Sequence, residues 1–126
     1  MTNIVSGDFS YLQNYTQFIN REDFWKDVIA QINKDLGNEN AITISSLNLK
    51  GEHAAEALIS SLQTYLPTIT PHLSEILYRI DLGENMEASL KDLSPDLYYR
   101  CLSEMVLKRI ILKVATRRIY SGKKLE

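Results

Sequence analysis

One cysteine, Cys101, is all the thiol chemistry this sequence offers, so an internal disulfide is excluded and a reducing compartment suits the chain. Only three prolines and five glycines punctuate 126 residues, a usage far from collagen-like or proline-rich disordered chains. No apolar run approaches the roughly 18 residues that a membrane span needs. The longest candidate, Ile110 to Leu112, stands between Arg109 and Lys113. No basic residue precedes Arg21, and no apolar stretch near the start leads into a small-residue cleavage site. The N-terminal region therefore does not read as a secretory signal, and a cytoplasmic protein without membrane contact is expected. Also missing are the Gly-x-Ser-x-Gly nucleophile elbow, a glycine-rich phosphate loop and a Cys-x-x-Cys pair, which leaves enzymatic chemistry few candidates.

What is present is an ordinary globular composition, 44% hydrophobic and 24% charged, with a net charge of −2. The length fits one helical domain over residues 1–126, able to bury about two-thirds of its unfolded surface. Residues 1–7 are expected to be loosely held and residues 121–126 to fray. The small net charge hides an asymmetry. Through Arg100 the chain carries seven bases and fourteen acids, a balance of −7, and beyond it seven bases and two acids, a balance of +5. The basic tail either packs against the acidic part or meets an external anion, and packing within the domain is the simpler expectation.

The stretch from Leu97 to Tyr120 organises the rest. Ser94 and Pro95 open it as N-cap and first helical residue, and Gly122 is the expected stop. At about 100° per residue, Leu97, Cys101, Met105, Leu112, Ala115 and Ile119 form one expected face, with Val106, Leu107, Ile110, Ile111 and Val114 covering much of the remainder. Such a helix needs partners on most sides.

Upstream, Leu12, Tyr15, Phe18 and Ile19 have spacings suited to a short helix. Asn20 is placed as an N-cap for a second helix, with Glu22 and Asp23 in its first turn. Phe24, Val28, Ile32 and Leu36 recur every four residues, Trp25 and Ile29 widen the stripe, and Gly37 offers a left-handed stop. Lys26, Asp27, Lys34 and Asp35 are assigned to its wet side. Ala41 to Leu47 reads as an extended connector pinned by Ile42 and Ile44, with pairing to Asn3 to Val5 as the alternative. Glu52 to Leu66 forms the next helix, with Ala54, Ala55, Leu58, Leu62 and Leu66 inward and Pro67 ending it. Thr70 and Pro71 start another through Leu73, Ile76, Leu77 and Ile80, stopping near Gly83. Glu84 to Leu93, acidic with Met86 and Leu90 as anchors, reads as one or two helical turns. The expected fold is all-α, an irregular four- to five-helix bundle around a long, mostly buried C-terminal helix.

Two His-x-x-Glu pairs, His53 with Glu56 and His72 with Glu75, sit at i, i+3 on consecutive helices and are the weak metal candidates. Di-metal bundle sites use the reverse order, Glu-x-x-His, and add further carboxylates, so no metal or cofactor is expected. The acidic series Asp81, Glu84, Glu87, Asp92 and Asp96 matches no calcium loop and reads as a solvated face. Tyr98, Tyr99 and Arg100, with Arg117, Arg118 and Tyr120 at the other end, are the candidate interaction residues, since tyrosine and arginine concentrate at interface centres.

The function expected first is a non-enzymatic protein-interaction module, an adaptor or assembly component with a protein partner. A nucleic-acid-associated protein using the basic C-terminal helix comes second, since a pI of 5.7 is low for a dedicated binder. A metal-dependent helical enzyme at the two His-Glu pairs comes third.

Overall fold

The computed structural model describes residues 9–44, 49–80 and 92–125. Among them are four α-helices, here α1 (Glu22–Leu36), α2 (Gly51–Tyr65), α3 (Leu73–Ile80) and α4 (Pro95–Leu125), with 3-10 segments at Ser10–Tyr15 and Leu66–His72. No strand occurs among the described residues, and the fold is all-α. The pairing of Asn3 to Val5 and the turns from Glu84 to Lys91 lie outside the described residues.

α1 forms as its four-residue apolar rhythm dictates. Phe24, Val28, Ile32 and Leu36 are buried with Trp25, and Ile29 is half-buried. Gly37, at φ 76°, ends the helix. Its N–H donates to the Lys34 carbonyl and that of Asn38 to the Asn33 carbonyl, each at 3.1 Å, which is the Schellman pattern that a left-handed residue makes possible. The start differs from expectation. Arg21 is the capping residue and makes no side-chain cap bond, while Asn20 precedes the cap. The buried Asn33 then holds the following connector through three bonds: its amide nitrogen donates to the carbonyls of Glu39 at 2.9 Å and Ile42 at 3.1 Å, and its oxygen accepts the Ile42 N–H at 2.9 Å. Ile42 is thereby set into the core.

α2 buries Ala54, Ala55, Leu58, Ile59 and Leu62, and its small alanines let α4 come close. It makes the most extensive helix-helix contact of the fold with α4, and α1 makes the next. Past Tyr65 the backbone tightens into a 3-10 turn through Pro67, leaves helical geometry at Ile69 (φ −115°, ψ 20°) and turns again before α3, a tight joint between the two prolines. Leu66 remains buried. α3 follows with Leu73, Ile76, Leu77 and Ile80 inward and packs on α1 and α4.

α4 starts as the Ser-Pro signal requires, with the Leu97 N–H donating to Ser94 Oγ at 3.4 Å and the Tyr98 N–H to the Ser94 carbonyl at 2.8 Å. It passes Gly122 and continues to Leu125, since one glycine costs a helix only about 1 kcal/mol. Its inward face also differs from expectation. Cys101, Leu102, Ser103, Val106, Leu107, Ile110, Ile111, Val114 and Ala115 are buried, whereas Leu112 and Ile119 are 41% and 43% exposed. The β-branched and leucine residues at 106, 107, 110, 111 and 114 form the wider apolar arc, and it captures α1 and α2; Leu112 and Ile119 are rotated away with Lys108 and Thr116.

Leu107 and Ile111 are fully buried, so truncation of either to alanine is expected to cost about 2–5 kcal/mol in urea unfolding. Ser103 sits in the same arc with its hydroxyl buried and without a hydrogen-bond partner among the described residues. Ser103→Ala is therefore expected to act in the opposite direction, stabilising by about 1 kcal/mol. Equal melting temperatures for the parent and the two truncations would remove α4 from the centre of the core.

Candidate functional site

The acid-base asymmetry of the sequence resolves into contacts between α1 and α4. Arg118 donates to Asp27 Oδ2 through Nε at 3.1 Å and Nη2 at 2.6 Å, and to Asp23 Oδ2 through Nη1 at 3.0 Å. It also reaches the Asp23 carbonyl and lies 5.6 Å from the centre of the Phe24 ring. One turn along α1, Arg117 Nη1 donates to Gln31 Oε1 at 2.9 Å, Gln31 Nε2 donates to Asp35 Oδ1 at 3.0 Å, and Lys113 Nζ closes on Asp35 Oδ2 at 2.9 Å. Residue number rises along α4 as it falls along α1, so the two helices run antiparallel. Asp35 is thus buried at this seam, and its expected place on the wet side is corrected: the Lys113 cation, 78 residues away in sequence, supplies the partner that a buried carboxylate requires.

Above this network lies a shallow groove of about 500 Å³ lined by Gln31, Lys34, Arg109, Leu112, Lys113, Thr116 and Arg117. Its chemistry is unusual for a chain of negative net charge: among the described residues the wall carries four cations and no carboxylate, with Leu112 as the apolar floor. Arg118 and Arg117, adjacent in sequence, have different fates. Two carboxylates neutralise Arg118, whereas the amide that holds Arg117 carries no charge. Lys34 is exposed and forms no ion pair among the described residues. A second hollow, of about 450 Å³, is lined by Ala41, Thr43, Ser60, Ser61, Thr64, Tyr65 and Thr68 and carries no charge. Several of its hydroxyls are already spent internally, Thr64 donating to the Ser60 carbonyl at 3.1 Å and Thr68 to the Tyr65 carbonyl at 2.6 Å.

The candidate interaction residues do not form one surface. Tyr98 and Tyr99 are half-buried and meet edge to face at 5.0 Å, packed against the core. Arg100 makes a two-pronged pair with Glu56, at 2.9 and 3.0 Å, and a 3.3 Å bond to Glu104. Arg117, Arg118 and the 60% exposed Tyr120 lie at the far end of the same helix, roughly 28 Å away at the α-helical rise. Of the metal candidates, His53, His72 and Glu75 are exposed and Glu56 is occupied by Arg100. No group of three or more metal-binding side chains occurs among the described residues. Asp92 and Asp96 are exposed; Asp81, Glu84 and Glu87 lie outside the described residues. Burial pushes the Cys101 thiol up, the nearby Glu104 carboxylate adds to this and Arg100 opposes it, so the thiolate needed for nucleophilic chemistry is disfavoured.

Sequence reasoning overlooked Lys34, Gln31 and Leu112 as members of one site. A signal was present: Asp23, Asp27, Gln31 and Asp35 form a row of acceptors every four residues on one side of α1, matched in reverse by Lys113, Arg117 and Arg118. No protein-family model matches the chain, and no curated protein or solved structure matches it either.

Two predictions follow from these pairs. The Arg100 guanidinium holds the Glu56 carboxyl below its ordinary value of 4.5, with burial opposing, and Arg118 does the same to Asp23 below 3.8. A lowered folded pKa stabilises above the unfolded value, and that contribution disappears as pH falls through the folded one. Stability is therefore expected to decline as pH drops below about 4.5, with a shallower decline in Glu56→Gln. Urea titrations at neutral and acid pH read this, and an unchanged slope would count against the pair. At the other end, Arg118→Glu faces two carboxylates and is expected to destabilise by about 1 kcal/mol or more, while Arg117→Glu stays within about 0.5 kcal/mol of the parent.

Proposed function

We propose that this chain is a small non-enzymatic protein-interaction module, an adaptor or assembly component of the cytoplasm, whose contact surface is the exposed side of α4 beside α1. The observation that carries this reading is the pairing of exposed apolar residues, Leu112, Ile119 and Tyr120, with cations that the domain's own carboxylates leave in excess. Surfaces of this mixed kind desolvate an apolar centre while charged rims orient the partner. Of the residues that offered alternative chemistry, Glu56 is held in an ion pair and Cys101 lies in the core. No helix among the described residues is long and apolar enough to cross a membrane.

Recovery of the tagged full chain from its source cell, with and without Arg117→Glu, tests the reading. A protein co-eluting in stoichiometric amount with the parent and depleted from the variant is expected. The competing reading, binding of nucleic acid by the basic helix, predicts retention of duplex or single strands that weakens steeply between about 50 and 200 mM salt. Nucleic acid recovered in place of protein, and lost in the same variant, would overturn the proposal.

A further inference from the structure

We infer that the groove between α1 and α4 receives an acidic amphipathic helix of a partner protein, an assignment that rests on the interaction-module reading and names the chemistry of its partner. Leu112 and Ile119 are seven residues apart, two turns along one face of α4, and both are more than two-fifths exposed. Thr116 stands between them, short enough to leave a hollow for an incoming apolar side chain. This spacing suits a helix laid along α4 that presents apolar residues at i, i+3 or i+4, and i+7. The charges set the partner's sign. Lys34 on α1 and Arg109, Lys113 and Arg117 on α4 face the groove, and between Glu104 and Glu126 the long helix carries seven bases and no acid.

The state of those charges decides what kind of anion fits. Arg117 bonds to a neutral amide and Lys34 makes no ion pair among the described residues, so both can take a carboxylate without breaking a salt bridge described there. Lys113 stays on Asp35, which also accepts from Gln31. Nucleic acid fits this groove less well. Single strands use aromatic platforms on which bases stack, and the lining contains none; Leu112 at its centre favours an aliphatic contact.

The test pans the purified full chain against a display library of random 16-residue peptides at low salt, then measures selected peptides by fluorescence anisotropy. Enrichment of Asp and Glu together with apolar residues at helical spacing is expected, with affinity about tenfold weaker for Arg117→Glu and for Leu112→Ser. Lys34→Glu, on an exposed residue without an ion pair, gives the same readout should Leu112→Ser disturb folding. Melting temperatures of Arg117→Glu and Lys34→Glu are expected to match the parent. Selected peptides without excess acid, or no enrichment at all, would overturn the inference. Peptides that bind equally well to all three variants would overturn the groove while leaving the interaction-module reading standing. Salt-sensitive binding of a single-stranded oligonucleotide, lost in Arg117→Glu and unaccompanied by peptide enrichment, would overturn both.

Discussion

From Cys101 to Ala115, α4 gives up its contact with water along an arc wide enough to meet α1 on one side and α2 on the other, and the apolar area lost there stabilises elements that have little stability alone. α1 and α2 are 15 residues each and α3 only 8, lengths at which an isolated helix is marginal in water. Each supplies one apolar stripe and needs a surface to cover it. α4, at 31 residues, is the common surface. The alanines of α2 shorten the approach on one side, while Phe24, Trp25 and Val28 of α1 fill the core with bulkier groups. Apolar contact of this kind is not directional, so it fixes proximity better than register.

Register comes from the polar seam. Arg118 against Asp23 and Asp27, and Lys113 against Asp35, are satisfied together in one antiparallel alignment of α1 and α4. A slip of α4 by one turn would bring Val114 or Gly122 to the place of Arg118 and part Asp23 and Asp27 from their guanidinium. The same arrangement divides the basic residues into two groups. Those that reach a carboxylate serve the fold, and those that reach only an amide or water give the surface its sign. An acidic protein thereby carries one basic face.

Much of the fold was legible locally. The stripe Phe24, Val28, Ile32 and Leu36, the stop at Gly37, the inward residues of α2 and α3, and the Ser94-Pro95 start of α4 each express a preference confined to a few neighbouring residues. The apolar stripes read for α1 and α2 are on the two helices that meet α4 most extensively. What local pattern misassigned depends on distant partners. Asp35 looks like a surface acid until Lys113 is beside it, and Leu112 looks like core until the stronger arc of α4 turns it outward. The break at Ile69, by contrast, falls within the short joint that Pro67 and Pro71 mark. The candidate site was the least legible part: its tail cations were named, but the groove needs Lys34 from α1 and the outward turn of Leu112, both tertiary outcomes.

The carbonyl of Ile19 accepts the Trp25 indole N–H at 2.8 Å and the Gly51 N–H at 2.6 Å. Gly51 has φ 51°, a backbone state that a residue with a Cβ enters at a cost of about 1–2 kcal/mol. A single oxygen thus ties the turn before α1, a fully buried side chain within it and the first residue of α2. In hydrogen-exchange terms, the Gly51 amide is tied to a turn 32 residues away and not to its own neighbours, so its protection reports how the start of α2 sits on the turn before α1.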